Sequence, residues 1–416
     1  MRKSLKMGQG KVVSGEWFFD RDADKRIFEQ KINDGANILL VAQRRMGKTS
    51  LMAEMAKILQ DKYICLFVDL QKCLNSSDML VELSLKIQPY KNLWDKTKDI
   101  FSNVFSKVKN SVEAVKYNEL SVTLRSGLTH SNWADKGDQL LNVLAEAEKP
   151  VVLLLDEVAL MVNNILKDEN HDITAEGKIQ TNEFMSWLRK NSIKHQGKIS
   201  FVISGSIGLE PVLHQARLSA TINNFVPLEI KAWDDDTACQ CLEALANEYH
   251  IKLHDNVPHE IVKKLGSCIP HHVQMFFTYI HDLCVKRNVM ECSKDDVNQI
   301  YKETMLGVRG HVELTHYEER LEMILPKNLC TLALDMLTEA AVTGHLSNEA
   351  ITAFQKEYPI EGKDVVKVQK EIIWVLEHDG YIKGTKKGYI FVSHLLKDWW
   401  KNRYQRFFTP ILQREV

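Results

Sequence analysis

The sequence predicts an α/β chain: a parallel sheet covered on both faces by helices, then an all-helical module, then a small module of helices and one hairpin. Two observations carry the sheet. Residues 38–42, 63–70, 150–158 and 199–206 are short apolar runs, and the third, "PVVLLLDEV", lacks any polar alternation, as a parallel strand buried on both faces requires. Helical patterns separate these runs, which supplies the crossovers of a parallel sheet whose ligands gather at the carboxyl ends of its strands. The third observation is a change of pattern: after "PLEIKAWDDD" the strand signal gives way to helical periodicity.

Taken in order, the first strand, at 38–42, ends in a loop, and Leu51, Met52, Met55, Ala56 and Leu59 then share one face of a helix over 50–59. The strand "YICLFVDL" follows. Residues 72–149 form a long mixed-charge stretch in which "LVELSLKI" and "QLLNVLAEA" read as helices flanking a less regular insertion with no recognisable chemistry. The runs at 150–158 and 199–206 close the series of strands. Asp234, Asp235 and Asp236 can then cap a helix in which Ala238, Leu242, Leu245 and Tyr249 share a face. These breaks divide the chain into a sheet domain at 1–232, a helical domain at 233–320 and a third, smaller domain at 321–416.

Bulk properties exclude several classes. With 416 residues, 44% of them hydrophobic and 26% charged, the chain can bury full cores in two or three domains. A formal net charge of -1 creates no global attraction to nucleic acid or anionic membrane, so any such contact must come from a local patch. No segment reaches the roughly eighteen unbroken apolar residues of a membrane span, and the basic residues 1–10 lead into no apolar stretch. A cytoplasmic protein without a membrane partner is expected. The eight cysteines include no C-x-x-C pair, which points to buried free thiols rather than a metal or disulfide framework.

Residues 42–49 read A-Q-R-R-M-G-K-T, one residue away from the phosphate-loop pattern G-x-x-x-x-G-K-[ST]. In that pattern small residues let backbone N–H groups close round phosphate oxygens, the lysine reaches the terminal phosphates, and the hydroxyl binds Mg²⁺. Ala42 is the smallest substitute for the first glycine, provided its φ is not positive. Met46, Gly47, Lys48, Thr49 and Ser50 complete the cradle at a helix start whose positive end faces the site. Arg44 and Arg45 supply further phosphate contacts or are solvated loop charges.

The strand "VVLLLDEV" delivers Asp156 and Glu157 at a carboxyl end, where neither charge is tolerated without a partner. Mg²⁺ gives Asp156 that partner, Thr49 being the second ligand, and Glu157 is one residue further on, placed to orient or deprotonate an attacking water. The next strand ends in Ser204 and Ser206, which either sense a terminal phosphate or make a turn. Together these motifs specify an ATPase with ATP and Mg²⁺ as ligands and Glu157 and Ser206 as its catalytic pair. Arg217, read in a helical stretch, is a surface arginine or a guanidinium offered to a neighbouring subunit's nucleotide.

The segments "EWFFDRDADKRIFEQKI", "RRMGKTSL", "LLLDEV", "ISGS" and "GSCIPHHVQMFF" together resemble the archaeal-type ATPases of the STAND/AAA+ group, over most of the chain. Such proteins are similar in layout to the origin-recognition ATPases: a P-loop NTPase core, a helical lid, then a winged helix. The resemblance implies that Phe19 and Arg21 lie near the adenine and that Gly266 and Pro270 stand in for the G-x-P motif that brings the lid onto the nucleotide. It also implies a nucleotide-state switch for ATP and ADP, with a protein or DNA partner and a homo-oligomer in the ATP state as candidates, in signalling, regulation or defence. The alternatives are a DNA-binding regulator with nucleotide as a structural ligand, and a motor, which needs an intersubunit arginine.

The last segment, "DVVKVQKEIIWVLEHDGYIKGTKKGYIFVSHLLKDWW", runs helix, hairpin, helix, the order of a winged helix. Val365, Val368, Ile372 and Val375 make the core face of the first helix, leaving Lys367, Lys370, Glu371, Trp374 and Glu377 outward. That face is near neutral, whereas Lys383, Lys386 and Lys387 on the wing, with Lys397, Lys401, Arg403 and Arg406 behind, form a basic side. DNA contact through Lys386 and Lys387 and docking of a protein are the two readings. Trp399 and Trp400 fit core packing.

Overall fold

The computed structural model describes residues 5–105, 117–358 and 365–414. Five parallel strands build the main sheet: β1 (Asn37–Val41), β2 (Ile64–Asp69), β3 (Val151–Asp156), β4 (Ile199–Ile203) and β5 (Phe225–Glu229), in the order β2-β3-β4-β1-β5. β3 and β4 are buried at every position, including Asp156 at the end of β3 and Ser200 within β4, as central parallel strands covered on both faces are. Register pairs Asp69 with Asp156 and Leu155 with Ile203, so the strand ends that carry polar residues lie level with one another.

β5 is a strand the sequence pattern does not reveal. It pairs with β1 from Asn37–Phe225 to Val41–Glu229 and carries Pro227, which an edge strand tolerates because one side of its backbone is unpaired. Its exposed Val226, Pro227 and Glu229 hide the apolar signal. The stretch between β2 and β3 is also more helical than expected: helices Ser76–Ile87, Lys91–Ile100 and Trp133–Ala145 fill most of it, with Tyr117–Ser126 between. Residues 106–116 of the expected irregular insertion lie outside the described residues.

Helices Asp235–Glu248, Val257–Leu265, Pro270–Arg287, Lys294–Gln299 and Val308–Ile324 follow the sheet, with a two-stranded pair, β6 (Lys252–Leu253) and β7 (Glu291–Cys292). Asp234 caps the first of them, its side chain accepting from the Thr237 N–H at 2.7 Å. Gly266, at φ +70°, ends one helix and Pro270 opens the next, each in the position its backbone chemistry favours. Helix Val308–Ile324 runs through residue 320 without a break.

Helix Lys327–Thr343, strand β8 (Leu346–Ser347), helices Asn348–Glu357 and Val365–His378, the hairpin β9 (Ile382–Thr385) and β10 (Gly388–Phe391), and helix His394–Tyr404 complete the chain, with a sheet of order β8-β10-β9. Trp399, Trp400 and Tyr381 are buried among them, and the Trp400 indole donates to Thr338 Oγ1 at 3.1 Å. Seven of the eight cysteines are buried, Cys65 is half-buried, and all are free.

The face of helix Val365–His378 expected to point outward is partly covered. Trp374 meets the His214 ring edge-on at 4.9 Å, and His378 Nε2 lies 2.7 Å from Glu210 Oε2, both partners belonging to helix Leu209–Gln215 of the sheet layer. Glu377 turns back to accept the Gly384 N–H at 3.1 Å. Asp379 accepts the Gly208 N–H at 3.2 Å, and Gly380, at φ +80°, sits so close to Gln43 that a Cβ there would meet its side chain at 2.0 Å.

The docked His378 makes stability depend on pH. Burial opposes protonation of His378, but the hydrogen bonds and charges of Asp379 and Glu210 prevail, and its pKa rises from 6.5 to about 9. Because the folded value is the higher one, the protonated ring stabilises the docked state fully below pH 6.5, and that contribution is lost as pH rises through about 9. The melting temperature of the wild type is expected to fall across this window relative to His378→Gln. Parallel curves for the two proteins would mean that another group titrates.

Candidate functional site

A cavity of about 350 Å³ opens at the carboxyl ends of β1, β3 and β4, lined by the 42–49 loop region, the two strand-end acids, the N-terminal segment and the helical module. Its floor is the loop after β1. Left-handed backbone falls on Arg45, at φ +67°, and Gly47, at φ +90°, and not on Ala42, which is why alanine is accepted at the first position. At Gly47 a Cβ would meet nothing within 4 Å, so its glycine answers a backbone need rather than a spatial one. Gly47 caps helix Lys48–Leu59, whose first N–H groups face the cavity end.

Lys48 is buried, with its ammonium donating to the Ala42 carbonyl at 2.6 Å and the Gln43 carbonyl at 3.1 Å. Burial lowers its pKa to about 8, against the raising influence of Glu157 and Asp156. Thr49 Oγ1 donates to Asp156 Oδ2 at 2.6 Å, and Ser204 Oγ donates to the other oxygen of Asp156. Glu157 stands in left-handed backbone, φ +60°, at the start of helix Val158–Leu166. Its Oε2 takes both the Ser206 N–H, at 2.9 Å, and the Ser206 hydroxyl.

Thr49, Asp156, Glu157 and Ser206, far apart in sequence, thus meet in one hydrogen-bonded row. A hydroxyl paired with a carboxylate fits Mg²⁺, which takes one or two protein ligands and completes its shell with phosphate and water oxygens. Among the described residues no group of three or more His, Cys, Asp or Glu has the makings of a metal site, so a cage for another metal is not found there.

The expected loop arginines are not solvated. Arg44 donates to the His316 carbonyl at 3.0 Å, and Arg45 pairs with Glu313 at 3.4 Å, so both tie the loop to helix Val308–Ile324 while lining the cavity. Burial, then the charge of Arg320, lowers the Arg44 pKa to about 10. Glu313 also takes the His271 ring at 3.2 Å, and that hydrogen bond is the first cause of its pKa falling to about 2.

At the other end of the cavity, Phe19 lies edge-on to Trp233 at 5.6 Å, with Phe18, Val12 and Val13 beside them, an apolar slot of the kind a base occupies. Arg21 lines the same wall but is a brace: its guanidinium donates to the Lys231 carbonyl at 2.7 Å and the Met46 carbonyl at 3.1 Å, holding the loop from behind. The N-terminal segment closes this end, with the Val13 N–H on Ser50 Oγ at 3.1 Å and the Gly8 N–H on Gln274 Oε1 at 3.0 Å. Pro270 opens the helix that carries His271 and Gln274 to the rim.

Arg217 is not in a helix. It is exposed in a turn at φ +61°, after helix Leu209–Gln215, and does not line the cavity. Sequence reasoning passed over residues 8–13, Trp233, Gln274 and Arg320. Recognising β5 would have brought Trp233 to the strand ends, but Arg320 sits in the mixed-charge "HYEERLEM", which offers no signal.

No family model matches the chain, and no curated protein does. Solved structures do. The Walker-type ATPase of Pyrococcus abyssi is 15% identical over 92% of this chain and 96% of its own, with a TM-score of 0.57. The ORC2 protein of Aeropyrum pernix, in its ADPNP–ADP complexes, is 11% identical over 94% and 98%, with a TM-score of 0.49. The ORC1 protein of that organism, in complex with DNA, is 12% identical over 96% of each chain, with a TM-score of 0.42. The first of these likenesses, with the five-stranded parallel sheet and the loop described above, gives the chain the fold of an archaeal-type P-loop ATPase with a helical C-terminal region.

Proposed function

We propose that the chain is an ATP-binding and ATP-hydrolysing switch, in which the nucleotide state sets the position of the C-terminal module. The observation that carries this reading is the row Thr49, Asp156, Glu157, Ser206 beside Lys48 in one cavity. Loop N–H groups and Lys48 bind the phosphates, and the Phe19 and Trp233 slot takes the base. Thr49 and Asp156 would hold Mg²⁺, which when bound supplies Lewis-acid stabilisation of charge on the phosphate oxygens. Glu157 accepts a proton from the attacking water through the oxygen that Ser206 leaves open, while Ser206 fixes its orientation.

The three-part division belongs to this reading: core at 1–232, lid at 233–320 and winged helix at 321–416, the second break falling within helix Val308–Ile324. Switching is supported by the contacts of helix Val365–His378 with helix Leu209–Gln215 and of Gly380 with Gln43 of the loop. Hydrogen exchange tests it: amides of residues 366–378 should exchange at different rates with ATP and with ADP bound to a hydrolysis-deficient variant. Equal rates would leave an ATPase without the switch.

Any DNA affinity is assigned to the wing, where Lys383, Lys386 and Lys387 are exposed. Replacing Lys386 and Lys387 by alanine should lower the log–log salt slope of DNA binding by about one for each phosphate that is no longer neutralised. Absence of salt-dependent DNA binding in the wild type assigns the module to a protein partner instead.

A further inference from the structure

A second cavity, of about 440 Å³, opens among the helices between and after β2 and β3, where the start of helix Ser76–Ile87 faces helices Trp133–Ala145 and Ala175–Lys194. It shares no lining residue with the cavity at the strand ends. Its floor is apolar: Leu128, Trp133 and Ile165 are buried there, and the Trp133 ring is held edge-on against Trp187 at 5.5 Å.

One wall presents donors. Asn75 Oδ1 caps the Asp78 N–H at 3.0 Å, which leaves the N–H groups of Ser76 and Ser77, the first two of the helix, without an acceptor among the described residues. Ser76 is only 8% exposed, and its hydroxyl also has no hydrogen-bond partner among the described residues. A buried polar group in that state is uncommon and marks a place for something that enters. Arg125 lies over the same helix start, with Nη1 donating to Asp78 Oδ1, while the other Asp78 oxygen takes the Leu74 N–H at 3.0 Å. The rest of the Arg125 fork has no partner among the described residues. Across the cavity, Glu183 of helix Ala175–Lys194 has no hydrogen bond or ion pair among the described residues.

Charge selects the ligand. Asp78 offsets Arg125, and with a neutral His130 on the rim Glu183 leaves the cavity one acid in excess, which repels a phosphate or any other ligand that is only anionic. A ligand that is only cationic meets Arg125 and the positive end of the helix. A molecule with one charge of each sign and an apolar body satisfies both walls and the floor.

We propose that this cavity binds a small apolar zwitterion, the chemistry of a free apolar amino acid or of a short peptide of such residues. Its carboxylate is held by the Ser76 and Ser77 N–H groups, the Ser76 hydroxyl and Arg125, its ammonium by Glu183, and its side chain lies over Trp133, Leu128 and Ile165. The volume is that of a small-molecule cleft, which runs from about 300 to 1,000 Å³. The site stands apart from the nucleotide reading and does not rest on it.

Calorimetry of the full chain with L-phenylalanine, L-leucine and glycyl-L-phenylalanine tests the proposal, the tighter binder telling free amino acid from peptide. Saturable binding of at least one is expected, about tenfold or more weaker for its N-acetyl and amide derivatives, since each derivative removes one charge-assisted hydrogen bond. Glu183→Gln, at an exposed position, should weaken the parent compound about tenfold and leave the N-acetyl derivative unchanged. Ser76→Ala should weaken the parent and spare the amide. Binding of none of the three compounds overturns the proposal, as do derivatives that bind as well as the parent. Wild-type affinity for the parent in both variants, or its displacement by Mg²⁺–ADP, places the binding elsewhere and overturns it too. If Ser76→Ala melts early, Glu183→Gln decides by the same rule.

Discussion

Lys48→Ala should abolish calorimetric ATP and ADP binding at concentrations that saturate the wild type. The ammonium is buried at the loop and anchored on the Ala42 and Gln43 carbonyls, so its charge is fixed where phosphates bind rather than spread over a mobile surface side chain. Truncating one partner of a buried charge pair costs about 2–5 kcal/mol, roughly thirty-fold to several-thousand-fold in affinity. The substitution also frees two loop carbonyls, so circular dichroism should accompany the titration to separate a disordered loop from the absence of the phosphate-binding charge. Wild-type affinity in a folded variant would remove the loop from the site.

Glu157→Gln should keep ATP binding and reduce single-turnover hydrolysis by roughly a hundred- to ten-thousand-fold, the usual loss when a positioned general base is removed. Glutamine retains a carbonyl oxygen to accept the Ser206 N–H and hydroxyl, so the row of hydrogen bonds survives while the base does not. Both residues bear the same left-handed backbone, φ +60°, so no new strain enters. Asp156 keeps Thr49 and Ser204, and Mg²⁺ dependence of binding should be unchanged. Unaltered hydrolysis would make Glu157 a structural residue of the helix start.

Much of the sheet and the floor of the site was legible because local chemistry dictates it. An unbroken apolar run has to be buried on both sides, and a glycine before Lys-Thr at a helix start has one common purpose. What was illegible depends on tertiary placement. β5 exposes Val226, Pro227 and Glu229 because it lies at the edge, and only its pairing with β1 makes it a strand. Arg21, expected near the adenine, lines the cavity with Phe19 and also holds the Met46 carbonyl, a bond between residues 25 positions apart that no spacing rule foresees. Trp374 was placed outward by its helical face, but it meets His214 from another layer of the molecule. The residues 8–13, polar and glycine-rich, become a wall of the cavity only because Gln274 and Ser50 receive their N–H groups.

The chemistry proposed for the cavity is tested most directly by phosphate release from ATP by the purified wild-type chain, followed with and without Mg²⁺. More than one phosphate released per protein, dependent on Mg²⁺ and lost in Glu157→Gln, is the expected result. Tight ATP binding with no release above that of Glu157→Gln would contradict it, leaving a nucleotide-binding protein that does not hydrolyse what it holds.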